Sequence, residues 1–174
     1  MKKYLPLIYG VLGAVLLCPT NPCLAEDMSI QDTVKYINAR IKESLAMPGH
    51  QIQSFSFSLN EHYKISYSYT SFSGSEYSII APVELLSAEQ IRVESIPDFP
   101  GGLTVVISCE VNDCTAVRYL SNRRRGEYTT YNYRWLHIPM GAERRLAEKV
   151  RNALSHLITI AKEEHKRKDR SDPF

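Results

Sequence analysis

Between Gln51 and Ile138 the apolar side chains recur at every second position in short runs, and on both sides of that stretch they recur at helical spacing. Period two places alternate residues on one face of a strand, whereas a spacing of three to four places them on one stripe of a helix. The chain is therefore restricted to strands flanked in sequence by two amphipathic helices. On the N-terminal side Ser29 is suited to cap a helix, with Asp32 three residues on as in a capping box. Ile30, Val34, Ile37, Ile41 and Leu45 then form one stripe until Pro48-Gly49 ends it. On the C-terminal side Ala142, Leu146, Val150, Ala153, Leu154, Leu157, Ile158 and Ala161 mark one face of a long helix. Glu143 stands in its first turn and Lys162 to Lys168 near its end, the signs that the helix dipole favours.

Within the alternating stretch, Ile52, Phe55, Phe57 and Leu59 predict a first strand, and Tyr63, Ile65, Tyr67 and Tyr69 a second after the turn-like Asn60-Glu61. Tyr77 to Ile80 predicts a third, stopped by Pro82; Glu84 to Glu89 is a turn or single helical turn leading into Ile91-Arg92-Val93. Leu103 to Cys109 and Thr115 to Leu120 form a hairpin, and Tyr128 to Ile138 is a final strand. The expected order is helix, about seven short antiparallel strands, helix. This is an α+β domain whose sheet buries one face under the two helices.

The N-terminus addresses the compartment. Lys2 and Lys3 precede an apolar run from Leu5 to Leu17, and Cys23-Leu24-Ala25 offers small residues at the two positions a signal peptidase inspects. Residues 1–25 are read as a signal peptide cleaved after Ala25, of bacterial appearance, and the apolar run is shorter than the roughly twenty residues a bilayer core demands. Lipid attachment at Cys18 is the alternative, but Val15, Leu16 and Leu17 are not the small residues that such a site wants. The expected protein is periplasmic or secreted, with one domain over residues 26–165 and a basic, disordered tail over 166–174.

Cleavage removes Cys18 and Cys23, leaving Cys109 and Cys114 in an oxidising space, where a disulfide across the hairpin is expected. A zinc site or redox pair is the competing reading, yet one cysteine pair without a neighbouring His supplies half a metal shell at best. Cleavage also alters charge. The whole chain has 21 Lys and Arg against 19 Asp and Glu, and without Lys2 and Lys3 the remainder balances at 19 each. The balance is uneven along the chain: acidic groups dominate from Glu26 to Val117 and basic ones from Arg118 onward.

Strands followed by one long amphipathic helix resemble the pleckstrin-homology-like barrel, and small secreted bacterial domains of that kind in particular. The residues carrying the resemblance are Thr33-Val34-Lys35-Tyr36-Ile37-Asn38, Thr104-Val105-Val106-Ile107-Ser108-Cys109, Ala142-Glu143-Arg144-Arg145-Leu146-Ala147 and Ala153-Leu154-Ser155-His156-Leu157-Ile158. The resemblance implies a curled sheet, a partial barrel, stoppered by the closing helix. It does not bring a lipid function, because the loop that holds phosphoinositide headgroups in that superfold is here Leu59-Asn60-Glu61-His62 rather than basic. The usual Trp of the closing helix is also missing, the sole Trp being Trp135 in the preceding strand.

No Gly-x-Ser-x-Gly, His-Glu-x-x-His or phosphate loop occurs. None of His50, His62, His137, His156 and His165 is spaced as a metal pair, none of Asp32, Asp98, Asp113 or Asp169 falls in a motif, and neither cofactor nor metal is implied. His156 beside the apolar stripe reads as a packing residue, and Glu163-Glu164-His165 as solvated surface. The strongest candidates for binding are Arg123, Arg124 and Arg125 with Tyr131 and Tyr133, where cations meet planar faces suited to anionic or sugar-rich polymers. Against them stands the reading that an Arg-rich loop is a soluble turn guarding a sheet edge. Tyr63, Tyr67 and Tyr69 likewise read first as half-buried sheet surface and second as a carbohydrate platform. A non-enzymatic envelope domain binding a protein or an anionic polymer is expected, with no nucleic-acid partner. The alternatives are a small hydrolase assembled from Glu61, His62 and His137, and a membrane-surface binder using Lys162 to Arg170.

Overall fold

Ser29 Oγ accepts a hydrogen bond from the Asp32 amide at 3.1 Å and starts α1 (Ile30–Leu45), whose stripe residues Ile37 and Ile41 are fully buried. The computed structural model describes residues 28–46, 52–95, 102–120 and 128–171. After α1 come β1 (Ile52–Leu59), β2 (Lys64–Ser71), β3 (Glu76–Pro82), a 3-10 turn at Val83–Leu85, β4 (Leu86–Ser95), β5 (Leu103–Cys109), β6 (Thr115–Leu120), β7 (Tyr128–Tyr133), β8 (Trp135–Met140) and α2 (Arg144–Ser171).

The α+β class and both terminal helices match the expectation, but the strands do not form one curled sheet of seven. Among the described residues, eight antiparallel strands divide into a five-stranded sheet, ordered β1-β2-β3-β6-β7, and a three-stranded sheet, ordered β4-β5-β8. The expected final strand, Tyr128 to Ile138, is two strands. A bend at Arg134 ends pairing with β6 and begins pairing with β5, so the chain turns a corner from one sheet to the other. The closing helix packs along α1, β4 and β5. Ser155 Oγ also donates to the Ala88 carbonyl of β4 at 2.8 Å.

One core joins all the layers. It contains Ile65, Ile79 and Ala81 of the larger sheet, Val105, Ile107, Leu136 and Ile138 of the smaller, and the apolar stripes of both helices. The outer edge of β1 is closed by α1. Asn38 Nδ2 donates to the Phe57 carbonyl at 2.7 Å, while the Phe57 amide donates to Asn38 Oδ1 at 3.0 Å. One side chain thus satisfies both backbone groups of an edge position that would otherwise invite another strand.

Three local expectations change. Leu103–Cys109 and Thr115–Leu120 do not form a hairpin, because β5 pairs with β4 and β8 in the smaller sheet and β6 with β3 and β7 in the larger. Tyr63 is not in the second strand; it sits in the β1–β2 turn with φ of 52°, where Asn60 Oδ1 accepts from the amides of His62 and Lys64. The segment 166–174, expected as a disordered tail, is helical as far as Ser171. Tyr63 gives the reason, since its ring is covered by Lys168 at 4.9 Å and His165 at 5.1 Å and its hydroxyl donates to Glu164. The last turns of α2 thereby dock on the β1–β2 turn. The signal segment 1–25, with Ala25 and Cys18, lies outside the described residues, and no described helix is long and apolar enough to cross a membrane.

Candidate functional site

Alternation puts Phe55 on β1, Tyr67 and Tyr69 on β2 and Tyr77 on β3 on one face of the larger sheet, and the register carries them into a row. Phe55 and Tyr67 stack at 5.7 Å, Tyr67 and Tyr69 at 6.5 Å, and Tyr69 and Tyr77 at 4.5 Å. Offset ring pairs at such separations add to plain apolar burial. The corner at Arg134 then brings Trp135 and His137 of β8 over this face. The resulting cleft of about 450 Å³ is lined by Tyr67, Tyr69, Tyr77, Ile79, Thr115, Tyr133, Trp135 and His137.

The floor of the cleft is fixed and its rim is open. Tyr67 is buried and its hydroxyl donates to the His137 carbonyl, tying the two sheets together. On the rim, Tyr133 and Trp135 remain 43% and 42% exposed, and Tyr131, beside Tyr133 at 6.3 Å, is 47% exposed. Among the described residues no carboxylate, Lys or Arg lines the cleft. Partial desolvation lowers the pKa of His137, opposed by Glu94 and reinforced by Arg92, so its imidazole is neutral at neutral pH. The cleft thus offers flat uncharged faces with phenol, indole and imidazole groups at their edges.

Burial raises the Tyr69 phenol above its ordinary value, with the neighbouring Tyr77 adding to the effect, and it raises Tyr67 still more clearly. A folded-state pKa above the unfolded value of about 10 means that the native state keeps a proton the unfolded chain has lost. This stabilisation is present below pH 10 and is lost as pH rises beyond it. We therefore expect the melting temperature to fall steeply above pH 10, and to fall less in Tyr69→Phe. Equal alkaline slopes in the two proteins would disprove the assignment.

A second, more polar cleft of about 530 Å³ shares Trp135 with the first and is lined by Gln90, Ser108, Cys109, Glu110, Val111, Asn112, Arg134 and Trp135. Its shape depends on the β5–β6 turn. The expected disulfide between Cys109 and Cys114 is present there, with Cα atoms 5.9 Å apart. Closing so short a loop contributes about 2 kcal/mol by chain entropy. The Cys109 amide donates to the Arg134 carbonyl and the Glu110 amide to the Leu85 carbonyl, and Lys162 Nζ meets Glu110 Oε1 at 2.6 Å.

Of the five candidate binding residues, Tyr133 lines the aromatic cleft and Tyr131 adjoins it, whereas Arg123, Arg124 and Arg125 lie outside the described residues. The suggested hydrolase group is not assembled. Glu61 and His62 pair at 3.6 Å on an exposed turn, while His137 lines the cleft, with no hydrogen bond or ion pair to either among the described residues. His156 hydrogen-bonds the Met28 carbonyl at 3.2 Å, as a packing residue does. In the basic segment, Lys162 is paired with Glu110, Arg167 with Glu163, and Lys168 covers Tyr63. No group of three His, Cys, Asp or Glu among the described residues could hold a metal ion.

Sequence reasoning missed Tyr77, Trp135, His137 and Arg134 as one locality. Only the switch of sheet at Arg134 brings the β8 residues over those of β2 and β3, and no Gly or Pro signals that bend. Comparison with known proteins returns no matching family model, no matching curated protein and no matching solved structure.

Proposed function

We propose that this chain is an exported, non-enzymatic binding domain of the bacterial envelope that holds its ligand in the aromatic cleft between the two sheets. The observation that carries the reading is the row of stacked tyrosines beneath an open rim of Tyr133 and Trp135. Aromatic rings that stay exposed around a concave, uncharged space provide large contact area at little cost in side-chain entropy. The apolar segment before Ala25 and the cystine support the export half of the proposal. The kinship with pleckstrin-homology-like domains belongs to the proposal as a likeness of scaffold, strands closed by a last helix, and contributes no ligand.

Trp135 is the chain's single tryptophan and lines the cleft, so all tryptophan emission comes from that place. Protein recovered from the envelope after expression of the full chain is to be titrated with neutral oligosaccharides, acidic oligosaccharides and small phenolic compounds. At least one class should shift the emission saturably, and Tyr133→Ala should weaken that binding by about tenfold, the scale of one aromatic contact. No saturable shift with any probe, or a shift indifferent to Tyr133→Ala, overturns the reading. Turnover of a bound probe would replace binding by catalysis.

A further inference from the structure

The two clefts share one lining residue. Trp135 lines both, with Tyr69, Tyr77, Tyr133 and His137 in one and Arg134, Gln90, Ser108 and Asn112 in the other. The bend at Arg134 causes this division, because successive residues of the corner contribute to different spaces. A ligand confined to either cleft would use one face of a half-exposed indole, whereas an extended ligand could cross it.

The two sides differ in charge. Among the described residues, those lining the aromatic side carry none at neutral pH. On the polar side the Glu110 carboxylate is already paired with Lys162, and among the described residues no carboxylate pairs with Arg134. The guanidinium is left as the uncompensated charge of that cleft, among amide and hydroxyl groups that suit a hydroxylated ligand. Its planar fork of donors matches a carboxylate in two parallel hydrogen bonds.

We infer that the ligand is an anionic oligosaccharide lying across Trp135, with sugar faces against the tyrosine side and a carboxylate on Arg134. This rests on the binding reading above and narrows it to a class. A linear sugar polymer combines apolar ring faces, hydroxyls and a repeated acidic group at intervals, which is the sequence of surfaces presented from Tyr77 through Trp135 to Arg134. Arg134 is the specificity-determining residue, and the anion site is at the strand corner rather than in the loop of Arg123, Arg124 and Arg125.

The test titrates Trp135 emission with a galacturonic acid tetramer, a glucose tetramer and galacturonic acid itself. At low salt the acidic tetramer should bind about tenfold more tightly than the neutral one, as expected for a charge-assisted fork. Rising salt should narrow the gap. Arg134→Gln should remove the preference, bringing the acidic tetramer to the affinity of the neutral one; Arg134 is exposed, and an unchanged near-ultraviolet dichroism spectrum confirms the fold. The acidic monomer should bind at least tenfold more weakly than the tetramer. Equal affinity for acidic and neutral tetramers, a preference that survives Arg134→Gln, or a monomer as good as the tetramer each overturns the inference. Binding of phenolic probes without any oligosaccharide response also overturns it, while leaving the aromatic cleft as a binding site.

Discussion

Gly141→Ala is expected to destabilise the domain by about 3 kcal/mol, the upper part of the range for overpacking. Gly141 follows β8, and its amide donates to Ser44 Oγ at 2.8 Å, Ser44 being fully buried in the last turn of α1. A Cβ on residue 141 would stand 2.3 Å from the Ser44 carbonyl oxygen and 3.1 Å from the carbonyl carbon. The obstacle is helix backbone, so relief demands that α1 move off the sheet rather than that a side chain rotate. Two companion variants separate this clash from the hydrogen bond. Ser44→Ala removes the acceptor and should cost about 1 to 3 kcal/mol, as leaving a buried donor unpaired does. Ser44→Gly combined with Gly141→Ala should not recover stability, because the conflicting oxygen belongs to the main chain. Urea unfolding under oxidising conditions measures each, and a Gly141→Ala midpoint equal to that of the parent protein would refute the close approach.

The contrast between Gly141 and its neighbours explains how far the sequence could be read. Periodicity reports which face of an element is apolar, so α1, β1, β2 and α2 were legible from residues such as Ile37, Phe57 and Leu154, and the cystine from its spacing, whereas the hairpin expected around it was not formed, because β5 and β6 lie in different sheets. Periodicity says nothing about which element covers that face. The alternation Tyr131, Tyr133, Trp135, His137 continues without a break through Arg134, yet the strand changes partner there. Likewise an Asn in a helix, such as Asn38, carries no mark that it will clamp the Phe57 backbone.

The candidate site was less legible than the fold for the same reason. Tyr67 and Tyr69 were identifiable as one face of a strand, but a cleft exists only because β8 crosses that face after pairing with β5. Local composition drew attention to Arg123, Arg124 and Arg125, three cations in a row. A single Arg134 beside the sole Trp becomes a candidate anion site only through its place in the polar cleft, which shares Trp135 with the aromatic one. Tyr63 shows the converse, since its place in an aromatic alternation suggested a strand, whereas the turn geometry and the end of α2 claim it.

Leu154→Ala should be the most damaging single truncation in the closing helix, costing about 3 to 4 kcal/mol of the roughly 5 to 15 kcal/mol that a domain of this size has available. Leu154 is fully buried, as are Leu157, Ile158 and Val150 on the same stripe, in the helix that packs at once on α1, β4 and β5. Neighbours on three sides limit collapse into the vacated space, which is the condition under which a cavity costs most. The same helix carries Ser155 to β4 and Lys162 to Glu110 at the rim of the polar cleft, so looser packing at Leu154 should also loosen that rim. Leu154→Met keeps the volume and should cost less than about 1.5 kcal/mol. In urea both variants should shift the midpoint without changing the slope, because the surface exposed on unfolding is unaltered. If Leu154→Ala lost no more than Leu154→Met, the close packing of α2 between α1 and the smaller sheet would be wrong, and with it the position of β8 over the tyrosine row.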